Sequence, residues 1–73
     1  MEHTIEGRNY TAYMTSNHKG NRVYIEHNRR GEDLSGVFQI NHNGTVEQVD
    51  GILENIPTSI GEEMKAEGFN IIL

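Results

Sequence analysis

Four histidines, His3, His18, His27 and His42, are the side chains in this sequence most able to ligate a metal or to move a proton near neutral pH. Their spacing does not build a site. None forms an i,i+3 or i,i+4 pair on a helical stretch, and there is no His-x-His or His-Glu-x-x-His motif. His27 and His42 each close a strand-like run and would stand side by side if those strands paired. Two ligands are too few for a closed zinc site, and Glu26 would face away from His27. The chain has no cysteine, which excludes disulfides, cysteine-ligated zinc and thiol nucleophiles. Hydroxyls and carboxylates fare no better. Ser16, Ser35 and Ser59 could in principle be activated by a histidine oriented by Asp33 or Asp50, but a triad is defined by mutual geometry that no spacing here supplies. Ser35, in Leu34-Ser35-Gly36, lacks the upstream glycine of a nucleophile elbow. The carboxylate pairs Glu32-Asp33 and Glu62-Glu63 are adjacent in sequence and so face different directions. The expectation is a protein with no metal, no cofactor and no catalytic activity.

Anion binding has a better basis. Asn28-Arg29-Arg30-Gly31 reads as a turn bearing two guanidiniums, whose forked donors match phosphate or carboxylate oxygens. With Lys19 and Arg22, four of the six cations fall within twelve residues. Tyr24 shares a strand face with Arg22, and aromatic rings among cations on a sheet are what single-stranded nucleic-acid binders use for stacking. A nucleic-acid-binding module built on the hairpin around residues 8–30 is therefore one reading. Against it stand the absence of RNP-like, Gly-x-x-Gly, helix-turn-helix and Walker patterns, and a net charge of −5 that opposes phosphate backbones. The charge is uneven: the first thirty residues carry +2 and the remainder −7. The acidic half could complement a basic partner or simply keep a small domain dissolved.

The elements that would position these groups are short. Gly7, Gly20, Gly31, Gly36 and Gly44 punctuate the chain at intervals of 5–13 residues, as turns between short strands do. Two runs alternate with period two: Tyr10, Ala12 and Met14 share one face, as do Val23 and Ile25, with Ser16–Asn21 as a polar hairpin loop between them. Val37–His42 and Thr45–Val49 flank Asn43-Gly44, the dipeptide favoured in a type I′ hairpin turn, with Phe38 and Ile40 on the core side. A competing reading places a helix over 45–56, from Val46, Val49, Leu53 and Ile56 at spacings of 3, 4 and 3; Gly51 inside it would cost about 1 kcal/mol. The hairpin is favoured. After Pro57 the pattern turns helical, from about Ser59 to Glu67, with a Ser59-x-x-Glu62 capping box, Ile60 and Met64 as an apolar stripe and Gly68 at C′. The sequence thus predicts an α+β fold: one domain over 1–73, an antiparallel β-meander of about four strands, one C-terminal helix packed on it, and room for a short final strand.

Apolar residues make up 34% of 73, enough for one thin core, and the longest apolar runs are far below the roughly 20 residues of a membrane span. With no cysteine and no basic-apolar leader at the start, the expected location is the cytoplasm. A thin core without disulfides needs support, and the tail Phe69-Asn70-Ile71-Ile72-Leu73 is too apolar to dangle in water. It should add a strand or dock on another chain. The leading expectation is therefore a small protein-binding module, self-associating as a homodimer through Phe69, Ile71, Ile72 and Leu73 or through an exposed strand edge, with Lys19, Arg22, Arg29 and Arg30 as an anion-binding set.

Overall fold

In the computed structural model, which describes residues 2–29 and 34–72, five strands each bond to their sequence neighbours in one antiparallel sheet, in chain order. The strands are β1 (Glu2–Glu6), β2 (Tyr10–Asn17), β3 (Gly20–His27), β4 (Gly36–Asn41) and β5 (Val46–Gly51), and the helix α1 spans Thr58–Ala66. The meander and the single C-terminal helix are those expected, with one strand more than four. The added strand is β1, whose Glu-His-Thr-Ile-Glu shows almost no apolar pattern. Its register (Thr4 opposite Tyr13, Ile5 opposite Ala12) places Ile5 on the same face as Ala12, where it is buried.

The alternation in β2, β3 and β4 sends Ala12, Met14, Val23, Ile25, Phe38 and Ile40 to one face, all buried. Over that face lie Ile60 and Met64 of α1, Ile56 of the connector and Ile71 of the tail. The helix packs over β1 and β2. Burial of these apolar groups is the main favourable term in a fold this small.

The β4–β5 hairpin is present, so residues 46–51 are strand and not helix. Its turn differs from the type I′ expectation. A I′ turn needs positive φ at both Asn43 and Gly44, and only Gly44 has it, at +91°. Gly44 N–H donates to Asn41 O (2.9 Å) and Asn41 N–H to Thr45 O (2.9 Å), which makes a three-residue loop of the turn-plus-glycine-bulge kind. The side chain of Asn43 accepts from Thr45 N–H (3.1 Å), an Asx turn that holds Asn43 on the other side of φ.

Helix α1 also begins differently. Pro57 is the N-cap residue with no side-chain cap, so Ser59 lies inside the helix and Glu62 falls beyond the first turn; the capping box does not form. The C-terminus is as expected. Gly68, at φ +99°, lets its own N–H reach Lys65 O (3.0 Å) and Phe69 N–H reach Met64 O (3.0 Å), a Schellman motif. That motif turns the tail back over the sheet. Ile72 N–H donates to Gly44 O (2.8 Å) and the Asn70 amide to His42 O (2.9 Å), clipping the tail to the β4–β5 turn. Among the described tail residues there is no final strand.

Candidate functional site

The four association residues of the tail have different fates. Ile71 is buried in the chain's own core and Phe69 is half-buried against it, so Ile71 serves the fold itself and Phe69 does so in part. The Schellman reversal explains this: it gives the apolar tail an intramolecular surface before any partner is needed. Ile72 remains 60% exposed, and Leu73 lies outside the described residues.

The basic set is dispersed. Lys19 sits in the β2–β3 turn and Arg29 follows the other end of β3, about 24 Å away along an eight-residue strand. Arg22 lies on the sheet face opposite the core, where its Nε donates to Gln39 Oε1 (3.1 Å). Arg30 lies outside the described residues. The histidines are dispersed as well. Gly20 pairs with Asn41 in the β3–β4 ladder, which puts His42 at the start of β3 and His27 at its end, so the two do not stand together. His42 Nε2 lies 3.0 Å from His18 O, His27 Nδ1 accepts from Arg29 N–H (2.9 Å), and His3 pairs with Glu67 across the exposed end of the helix (2.7 Å). Among the described residues no three histidine or carboxylate groups converge as a metal site.

What the fold does leave exposed is a set of apolar side chains along the edge strand β5, with Ile72 beside Gly44 at its N-terminal end and Val49 and Ile52 at its C-terminal end. This edge strand bonds only to β4, so half of its backbone N–H and C=O groups face outward. The register slips between Val37–Asp50 and Phe38–Gln48, leaving Val49 as the extra residue of a bulge, 47% exposed. Ile52, just beyond, is 63% exposed. Between β5, the connector and the tail runs an open groove of about 490 Å³, with Phe38, Val46, Ile56 and Ile72 as its apolar lining and Gln48 and Asn55 among its polar groups. The Gln48 amide donates to Gly51 O (3.1 Å) and Leu53 O (2.9 Å), which fixes the connector against the strand. Among the described residues, three of the five large exposed apolar side chains (Val49, Ile52 and Ile72) belong to β5, the connector after it or the tail. Val49 was not legible as a surface residue, because in sequence it fits the apolar stripe of Val46, Val49, Leu53 and Ile56 equally well.

The other two, the aromatics Tyr13 and Tyr24, are directly paired across β2 and β3 on the face away from the core. Their rings are near-parallel (24°) with centroids 6.1 Å apart. Glu26 receives both hydroxyls, Tyr13 at 3.0 Å and Tyr24 at 3.5 Å. The hydrogen bond to the Glu26 carboxylate, with lesser contributions from burial and from the charges of Glu26 and Glu6, raises the Tyr13 phenol above its ordinary value of 10.0.

Comparison of this chain with protein-family models, with curated proteins and with solved structures finds no match in any of the three. No helix among the described residues is long and apolar enough to cross a membrane.

Proposed function

We propose that the protein is a small cytoplasmic protein-binding module without catalytic activity, and that it contacts its partner through the β5 edge and the apolar rim of Val49, Ile52 and Ile72. The observation that carries this reading is a strand edge with no further strand bonded to it among the described residues, with Ile72 and the groove at one end of it and Val49 and Ile52 at the other. The straight part of the edge, Val46–Gln48, offers backbone groups to an added strand, while the bulge at Val49 ends that run. Side-chain burial in the groove therefore supplies most of the contact energy. The simplest partner is a second copy, since a two-fold axis brings the same patch to both sides. Glu47, Asp50 and Glu54 flank the rim, so the two copies repel each other and the dimer is weak at low salt.

The alternative, nucleic-acid binding by the basic hairpin, draws less support. Lys19 and Arg29 lie at opposite ends of β3, Arg22 is held by Gln39, and a carboxylate sits at the tyrosine pair where a phosphate would have to approach.

Size-exclusion chromatography with light scattering, up to about 1 mM protein, tests the proposal at about 0.05 M and about 0.5 M salt. A dimer that strengthens with salt and is lost in Val49→Ser with Ile52→Ser is expected. A monomer at every concentration and salt, or a dimer indifferent to these substitutions, refutes it.

A further inference from the structure

Helix, connector and tail all lie on one side of the sheet, and the opposite side is uncovered among the described residues. Its central row, read across the register, is Thr4, Tyr13, Tyr24, Val37 and Asp50. The flanking rows place Glu6 and Glu26 on either side of Thr11, roughly 10 Å apart at two strand spacings, and Glu47 beside Gln39. Glu6 and Glu26 thus border the exposed tyrosine pair, Glu47 and Asp50 lie on the same face two strands beyond Tyr24, and Arg22, already engaged by Gln39, is the one described cation among them. We propose that this uncovered face, centred on Tyr13, Tyr24 and Glu26, is a docking surface for an arginine-bearing basic segment of a partner protein.

The chemistry of the face selects that occupant. An aromatic ring attracts a cation over its face, and the surrounding carboxylates add attraction of the same sign. Each Glu26 oxygen accepts one phenol hydrogen bond and keeps a lone pair for a further donor. A guanidinium suits this pairing better than an ammonium, because its plane stacks on a ring while its forked N–H groups reach a carboxylate. A phosphate backbone meets the same four carboxylates as repulsion. The surface is centred on β2 and β3, shares with the β5 edge only the carboxylates Glu47 and Asp50 at its margin, and does not use Val49, Ile52 or Ile72.

The full chain, 15N-labelled, is titrated at low salt with a capped Gly-Arg-Gly-Arg-Gly-Arg peptide, its lysine counterpart and its glutamate counterpart. Tyrosine fluorescence provides a second signal, since the chain has no tryptophan. Shifts confined to Thr11–Thr15 and Arg22–Glu26 are expected, strongest for arginine, absent for glutamate and weakening with salt. Glu26→Gln, which keeps the shape of the side chain, and Tyr24→Leu should each weaken binding roughly ten-fold, while Val49→Ser with Ile52→Ser leaves it unchanged. Circular dichroism of each variant confirms that the sheet is intact. The proposal is overturned by no response to the arginine peptide, by equal responses to arginine and lysine, by shifts centred on the acids of α1, or by an oligouridylate that shifts the same tyrosines under the same conditions.

Discussion

Replacing Ile71 by alanine separates a tail that belongs to the fold from one that waits for a partner. Ile71 is 5% exposed and packs in the same cluster as Ile60 and Met64. The substitution removes three carbons, worth about 2.4 kcal/mol at about 0.8 kcal/mol for each buried methylene. A residual cavity adds to this, although a site near the edge of the lid can partly collapse, so about 2–4 kcal/mol is expected. A domain of this length holds roughly 4–11 kcal/mol in all, so the loss is a large share. At about 4–8 °C per kcal/mol, Tm should fall by roughly 8–32 °C. Urea unfolding followed by far-ultraviolet circular dichroism reads the change as a lower midpoint at unchanged slope. Ile72→Ala, at a 60% exposed neighbour, is the control and should stay within about 0.5 kcal/mol. Equal stabilities for the two variants would show that the tail does not dock as described. Truncation after Gly68 removes Phe69 and Ile71 together, so it perturbs the core before it reports on association.

Two further outcomes follow from local geometry. Gly20 has φ +132°, and a Cβ there would overlap the Ile40 carbonyl oxygen across the β3–β4 ladder, so Gly20→Ala should cost more than about 2 kcal/mol in the same unfolding assay; a change below about 0.5 kcal/mol contradicts this close approach. Spectrophotometric titration should find the Tyr13 phenol ionising above 10.0 and moving down in Glu26→Gln. Because the folded state holds this proton more tightly than the unfolded chain, the associated stability is complete below the unfolded value and is lost as pH rises through the folded one. A Tyr13 titration unaffected by Glu26→Gln would contradict the hydrogen bond.

Much of the sheet was legible because its residues alternate. Tyr10, Ala12 and Met14, Val23 and Ile25, and Phe38 and Ile40 each declared a face, and the structure puts each set where the period-two reading placed it. Strand β1 was not legible: with Ile5 as its single buried aliphatic, its conformation comes from pairing with β2 rather than from its own pattern. The turn at Asn43-Gly44 was recognisable as a turn but not by type, since the choice lies in the φ of Asn43, which its side chain settles through Thr45. The site was harder to read. Apolarity in Phe69–Ile72 signals burial without saying against what, and the Schellman turn at Gly68 directs it inward. Val49 became a surface residue through a one-residue bulge, which no periodicity announces. The cations near one another in sequence were separated by the length of β3, whereas Tyr13 and Tyr24, eleven positions apart, were brought together by the β2–β3 register.

The neighbour-to-neighbour order of the strands also bears on how the molecule assembles. Each hairpin closes only a short loop, which carries a small entropic cost and allows the ribbon to form quickly from local encounters. Joining Ile60, Met64 and Ile71 to Ile5 and Met14 spans most of the polypeptide, and only that step removes water from the oily side of the ribbon. Cooperativity therefore resides in the closing of the helix over β1 and β2 and of the tail toward the β4–β5 turn, and a molecule caught before closure would have both sides of its sheet open to solvent.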